Sequence, residues 1–306
     1  MIALLSRFAR DPRHYQMTVQ AILLFCGLAI LDFEITAARA VLTLAAVLGA
    51  QWACTRASAW FAARRVVPPG SHGHAELPPR FEWRSALISG LSLCLLLRTS
   101  SVALVLVTAF VTIASKFVLR WRGSHLFNPT CFGLVVMILV TPEVWVSPGQ
   151  WGHATLLGFA IACLGSVVVT RAARADVTFA FLGAWAAILF GRAAWLGQPW
   201  ATPLHMFTNG SILLFAFFMI SDPRTTPSSR IGRVLFAVVV ALGAGMVQFV
   251  LYRTNGPLWS LAVCALLVPL IDRWLPGPRH HWTRESALSQ PSKGPSHAPA
   301  LVPIHA

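Results

Sequence analysis

Charge is what this sequence lacks. Of its 306 residues only 11 % are charged, and ten are acidic, where a soluble domain carries about a quarter. A chain so poor in charge cannot clothe a water-facing surface, which excludes a soluble globular enzyme. A hydrophobic share of 56 % and a mean hydropathy of +0.67 exclude disorder and collagen as well. CxxC pairs are absent. The six cysteines (Cys26, Cys54, Cys94, Cys131, Cys163 and Cys264) stand far apart inside apolar runs. A disulfide scaffold, a zinc site and thioredoxin chemistry therefore have no support, and the thiols read as small buried hydrophobes. GxxxxGK[ST], HExxH, GxSxG and GxGxxG are missing too, which leaves open whether the chain catalyses anything. No metal site is expected: His72, His74, His280 and His281 read as polar loop residues. The remaining class is an all-α polytopic membrane protein whose first partner is the lipid bilayer.

Apolar runs long enough to cross about 30 Å of hydrocarbon fall at 17–35, 41–62, 86–97, 101–118, 128–141, 154–170, 177–196, 204–220, 232–252 and 257–272, ten in all. The third and fifth are short, so each is a tilted helix or one that stops inside the protein. Of the 24 Lys and Arg, nineteen fall on one side if the passes alternate from the N-terminus. Only Arg39, Arg98, Arg192 and Arg253 fall on the other, and Arg56 lies within the second run. Merging two neighbouring runs would destroy this asymmetry. The positive-inside rule then places both termini in the cytoplasm, so the formal charge of +14 is an orientation signal and no nucleic-acid partner is expected. Tryptophans near the span ends, among them Trp83, Trp121, Trp195 and Trp200, are interface anchors. The first run imitates a signal peptide up to Ala38-Arg39-Ala40, but Asp32 and Glu34 favour an uncleaved span.

The ten runs divide into two sets of five. Lys116-Phe117-Val118-Leu119-Arg120 resembles Gln248-Phe249-Val250-Leu251-Tyr252, and each precedes a helix opening with proline, at Asn128-Pro129 and Gly256-Pro257. Ser89-Gly90 in the third run matches Asn209-Gly210 in the eighth. Five is odd, so the second copy is flipped, giving an inverted repeat in which short or broken helices meet and their free ends bind polar ligands. The expected organisation is a cytoplasmic segment 1–16, repeats 17–142 and 143–275, and a disordered tail 276–306 rich in Pro, Ser and His.

Polar groups at membrane depth are costly and point to function. Asp222 closes the eighth run, and reads as an ion-pathway carboxylate or as an interface charge paired with Arg224 or Arg230. Asn128 reads as a polar-centre residue or as a helix cap. Lys116 either faces the protein interior or snorkels to the surface.

These residues carry a resemblance. Ser85-Ala86-Leu87-x-x-Gly90, then Lys116 and Phe127-Asn128-Pro129-x-x-x-Gly133, are similar to the RnfD/NqrB family. So are Phe217-Phe218-x-x-Ser221-Asp222-Pro223, Arg230-x-Gly232-Arg233 and Val268-Pro269-Leu270-Ile271-Asp272. These motifs span roughly 85–142 and 204–274. The family comprises membrane subunits of the Rnf complex and of the sodium-pumping NADH:quinone oxidoreductase. The resemblance implies two inverted five-helix halves, other membrane subunits as partners, and residence in the bacterial inner membrane. It also implies electron transport with flavin, coupled to cation movement. Lys116, Asn128, Ser89, Gly90, Asn209 and Gly210 would line a polar centre for a non-covalent riboflavin or FMN, with Asp222 on the ion path. The family's covalent FMN sits on a threonine of a Ser-Gly-Ala-Thr-like segment. Here Ala154 falls at that threonine, beside Thr155, so covalent FMN is not expected. Two other readings keep the same fold: a small-solute or ion transporter without a redox cofactor, and a scaffold for partner subunits.

Overall fold

A computed structural model describes residues 11–30, 35–64, 80–121, 123–146 and 155–278, with backbone alone for 155–160. The expected tail, the histidines at 72, 74, 280 and 281, Asp32, Glu34 and Ala154 lie outside the described residues. The first five helices are α1 (Pro12–Ala29), α2 (Ala37–Ala63), α3 (Trp83–Leu96), α4 (Val102–Val118) and α5 (Pro129–Val140). The next five passes are α6 (Thr155–Arg171), α7 (Ala175–Leu196), the broken pair α8 (Ala201–Phe207) and α9 (Gly210–Leu214), α10 (Arg230–Phe249), and α11 (Gly256–Cys264) running on into α12 (Val268–Trp274).

Local chemistry sets the ends. Asp11, Thr36, Ser101, Asn128 and Ser229 each cap a following helix by accepting a backbone N–H, which satisfies one of the donors a helix leaves free. Proline occupies the first turn of α1, α5, α11 and α12, where its missing N–H costs nothing. The first helix starts at Pro12, ahead of the apolar run, because Asp11 holds the Arg13 backbone N–H. The eighth run departs from a single expected span. Asn209 caps a new helix start, its side chain accepting from the Ser211 N–H, and the two pieces meet at 43°. Beyond Leu214 the coil widens to a π-helix over Phe215–Met219, a form rare in proteins and enriched at functional sites.

The helices pair in the same way twice. The first half packs α1 on α3, α2 on α3 and α4, and α4 on α5. The second packs α6 on α9, α7 on α8 and α10, and α10 on α11. The halves meet through first against first, α1 on α6, and fifth against fifth, α5 on α11. Close approach at the fourth–fifth crossing needs glycine in both. A Cβ at Gly133 would run into Thr112 Oγ1, and one at Gly243 would run into Ser260 Oγ.

Among the described residues, four helices are long and apolar enough to span a bilayer, five with the bent pair, and four shorter apolar helices accompany them. Their outer faces expose Trp52, Phe110, Leu139, Val140, Leu242 and Met246, and α1 exposes Phe25. In water that surface would be an aggregation liability, which suits a multi-pass membrane protein.

Contacts between loops sort the helix ends into two groups, as alternate crossing requires. One end gathers Arg13 with Glu82, Arg224 with His125, Arg174 with Thr226, and Ser228 with Asp272. The other joins Arg39 to the Thr99 and Ser100 carbonyls and pairs Leu97–Arg98 with Trp145–Val146 in a two-stranded ribbon. Arg13, Arg84, Arg120, Arg174, Arg224 and Arg233 lie at the first end, and only Arg39, Arg98, Arg192 and Arg253 among the described cations lie at the second.

Candidate functional site: a polar pocket and an apolar cavity

At the cation-rich end, the turn after the π-helix is built by side chains. Asp222 accepts from the Arg224 backbone N–H at 3.0 Å, and its own carbonyl takes the Thr225 and Thr226 N–H groups. Ser221 donates to the Phe217 carbonyl. Arg174 reaches across from the start of α7 to Thr226 Oγ1 and the Pro223 carbonyl. The guanidinium of Arg224 lies 3.3 Å from His125 Nε2. His125 itself comes from a ribbon, Arg120–Trp121 against Ser124–His125, that turns at Gly123 with φ of 84°.

Asn128 joins the two halves. Its Oδ1 caps α5 through the Cys131 N–H, while its Nδ2 donates to the Met219 carbonyl, 3.2 Å away at the end of the π-helix. A second bridge runs from Thr178 Oγ1 to the Ala216 carbonyl. The wider π coil leaves carbonyls poorly paired along the helix axis, and Asn128, Thr178 and Ser221 supply the donors. Both alternatives for Asn128 are realised, since it is a cap and a polar-centre residue at once. Lys116 does not snorkel: it is buried, and its Nζ donates to the Ser85 carbonyl at 2.8 Å and to Ser85 Oγ at 3.2 Å.

These groups surround a pocket of about 50 Å³ whose walls include Ser85, Ser89, His125, Asn128, Asp222 and Arg224. It has room for a few waters or a small ion. Asp222 is half-buried and lines this pocket. Burial pushes its carboxyl pKa up, against the pull of the Arg224 N–H, Arg224, Lys116 and Arg174. Burial, and then the nearby cations Arg224, Lys116 and Arg120, push the His125 imidazole down to about 3, so it is neutral at physiological pH. Burial, and then the facing Arg233, lower Arg174 to about 10, and it stays charged. Arg233 pairs with Asp176 rather than with Asp222.

At the opposite end lies a cavity of about 380 Å³. Leu96, Val146, Phe215, Met219 and Leu258 form its apolar floor, and Asn209, Gln248 and Asn255 bring amides to its rim. Trp185 lines it, and the indole N–H, fully buried, has no acceptor among the described residues. A buried donor without a partner is costly, and a ligand acceptor would relieve it.

The six residues expected to form one polar centre are therefore divided. Asn128 and Ser89 line the small pocket with Asp222, and Lys116 stands behind its wall on Ser85, while Asn209 lines the large cavity and Gly210 begins the helix behind it. Gly90 faces α2, where a Cβ would lie 2.7 Å from Val47 Cγ2, so its smallness serves helix packing. Ser89 and Gly90 sit inside the unbroken α3, whereas their counterparts Asn209 and Gly210 mark the break. Trp185, His125 and Thr178 were not singled out by the sequence. Each is an ordinary residue of its span or loop, and only the fold brings it to a cavity or to a freed carbonyl.

Comparison with known proteins agrees with the family resemblance. Residues 146–279 match the NQR2, RnfD, RnfE family. Over 83 % of the chain and 87 % of the relative, the sequence is 26 % identical to a subunit of the ion-translocating oxidoreductase complex of Halorhodospira halophila. It is 27 % identical to the corresponding subunit from Pseudomonas paraeruginosa over 61 % of the chain and 70 % of that relative. The corresponding subunit from Stutzerimonas stutzeri is 40 % identical over a shorter stretch, 23 % of the chain and 20 % of its own length. The family match thus covers the second half of the fold, and the likeness to the Halorhodospira subunit extends over most of the chain.

Proposed function

We propose that this relative of the RnfD/NqrB family is a membrane subunit of an ion-translocating electron-transport complex, working beside other membrane subunits. The observation that carries the reading is the Ser221-Asp222-Pro223 turn. Its carboxylate faces an enclosed pocket, and the helix before it is tied to the other half through Asn128. The likeness to subunits named for ion translocation and oxidoreduction supports the same reading.

In this reading the two repeats are 17–142 and 143–275, oppositely oriented in the bacterial inner membrane, with the cation-rich end and both termini in the cytoplasm. A proton or small cation entering the polar pocket meets Asp222. Lys116, held by Ser85, and Arg224, held by His125, set the potential around that carboxylate. The cofactor is a non-covalent flavin. At about 50 Å³ the polar pocket has no room for an isoalloxazine ring system. The larger cavity fits one: its volume lies in the range of ligand sites, and the Trp185 N–H and the rim amides suit a heteroaromatic edge. Asn209, Trp185, Gln248 and Asn255 would hold the flavin, which when bound supplies one- and two-electron redox chemistry. The protein's own part is to bind it, orient it and exclude water from its apolar floor.

Flavin content of the detergent-purified protein, read by absorbance and fluorescence before and after acid precipitation, tests this. Flavin released to the supernatant is the expected result. Flavin retained in the pellet would mean covalent attachment, with Thr155 the nearest candidate. A folded protein without flavin, and unable to take it up, would end the electron-carrier reading. It would favour a small-solute or ion transporter, for which the small polar pocket is the better fit.

A further inference from the structure

A polar stripe leaves the small pocket for the middle of the bundle. On α3, Ser85, Ser89 and Ser92 are spaced by four and then three residues, so they share one face, and all three line the pocket. On α1, which packs against α3, Gln16 lines the pocket as well, and Gln20 follows one turn on. Arg13 meets Glu82 where both helices start, so the two run side by side in the same direction. Gln20 therefore reaches Ser92, its Nε2 donating to Ser92 Oγ at 2.8 Å. At 1.5 Å per residue, this pair stands about 10 Å along α3 from Ser85. Gln20 is only 1 % exposed, and its Oε1 has no partner among the described residues. Turning the amide over would bare its N–H groups instead. A buried polar group left bare is costly, and proteins satisfy such groups with internal water. Beyond this pair Cys94, Leu95 and Leu96 are buried and apolar, and Leu96 already belongs to the floor of the large cavity. The stripe thus ends at Gln20, between the two cavities.

We propose that this stripe is a water-bearing proton track, with Ser92 and Gln20 as the positioning residues at its inner end. This rests on the ion-path reading of Asp222 and extends it by naming the ion and its route. The pocket suits a proton better than a metal cation. The Ser85 carbonyl already accepts from Lys116 and Ser89, Asn128 Oδ1 from the Cys131 N–H, and Asp222 Oδ1 from the Arg224 N–H. A hard cation needs several oxygen ligands, and here it would also face the Arg224 guanidinium. A proton needs only a row of hydroxyls, waters and a carboxylate. Ser92 Oγ has two lone pairs: one takes Gln20 Nε2, and the other faces the pocket water. When that water gives Oγ a proton, the hydroxyl releases its own to the water held on Gln20 Oε1. At the outer end the Asp222 carboxylate takes a proton to become the acid, and returns to carboxylate when it passes that proton to the pocket water. No electron moves in these steps.

Two measurements test the track. The first uses the full-length protein in membranes, where Ser92→Cys is treated with silver ion, unfolded, and its remaining thiol counted by alkylation and mass spectrometry. The thiol at position 92 is expected to be lost to silver, and that of Leu95→Cys, the dry control, to survive. The second uses the assembled complex in sealed vesicles, with protons moved per electron followed by a pH-sensitive dye and sodium by a radioactive tracer. Gln20→Leu and Ser92→Ala are each expected to cut proton movement at least about tenfold, and Ser92→Thr, which keeps the hydroxyl, to retain it. Gln20→Leu removes the bare amide, so its unfolding temperature should hold or rise. A merely structural Gln20 would do the reverse, lowering that temperature and leaving the protons per electron as they were, and that result overturns the proposal. Full proton movement in folded Gln20→Leu and Ser92→Ala, with Asp222→Asn blocked, overturns the track and leaves the Asp222 reading standing. A thiol at position 92 as protected as that at position 95 does the same. Full movement in Asp222→Asn overturns both. Sodium carried in place of protons overturns the choice of ion.

Discussion

The two cavities occupy corresponding places in the two halves and are built from opposite materials. Each lies between the third helix of one half, the start of the fifth helix of the same half, and the end of the third helix of the other. The pocket at Asn128 is small, and charged side chains from several loops close around it. The cavity at Asn209 is larger, with an apolar floor and one guanidinium that is unpaired among the described residues. One geometry is thus built twice, and its two ends are filled differently. Where cations are tolerated, the site became a network in which every charge has a neighbour. Where they are scarce, it kept volume and a single cation.

Strain at the fourth–fifth helix crossing tests how alike the halves are, with the largest expected effect. At Gly133 an added side chain meets the Thr112 backbone as well as its hydroxyl, whereas at Gly243 it meets chiefly the Ser260 side chain. Gly133→Val should cost about 3 kcal/mol or more and largely prevent assembly. Gly243→Val should cost less, because Ser260 can turn away. Thermal unfolding in detergent and the yield of monodisperse protein measure both, and equal losses would break the expected order.

The caps come next. Asn128→Ala removes a buried cap and the donor to Met219 that links the halves, and is expected to cost about 2–3 kcal/mol. Among the described residues the Asn209 side chain bonds only within its own turn, to Ser211, so Asn209→Ala should cost about 1 kcal/mol. A loss at Asn209 as large as at Asn128 would mean that the broken helix is held at its break, and not at the π turn beyond it.

Much of this fold is legible in the sequence because hydrophobic runs, prolines and cation placement act locally. The short third and fifth helices, the cap at Asn128 and the gathering of most cations at one end follow from such signals. The break at Asn209 was only half visible. Its likeness to Ser89 hides that Ser89 bonds back to the Ser85 carbonyl inside a continuous helix, while Asn209 starts a new one. The π turn left no mark at all. It depends on three donors from three places in the chain, Asn128, Thr178 and Ser221, and no window of sequence contains them. Likewise, Lys116 at a helix end looks like a snorkelling residue until the partner at Ser85, far off in sequence, is known.

Acid should separate the two ends. The His125 imidazole is held down to about 3 by burial and by Arg224, Lys116 and Arg120, against an ordinary value of 6.5. A group with a lowered folded pKa takes its proton more readily in the unfolded chain, so the stability present above pH 6.5 is lost as pH falls from there toward 3. His125→Gln should flatten thermal stability over that window. The apolar cavity has no such group among the described residues, and Trp185→Phe should leave the acid profile parallel to that of the unmodified protein.

Asp222 gives the smallest effect on stability and the sharpest on function. Burial raises its pKa, so the folded protein favours the protonated acid, and stability declines as pH rises from about 3.8 toward the folded value. Asp222→Asn keeps an oxygen for the Arg224 N–H and removes the cost of burying charge. Its stability should therefore stay within about 1 kcal/mol of the parent, and lose the decline with rising pH. Ion or proton movement driven by the assembled complex should be lost all the same, since an amide neither takes a proton nor balances a cation. Retention of full ion movement by a folded Asp222→Asn complex would remove Asp222 from the path and leave the carboxylate only the role of shaping its turn.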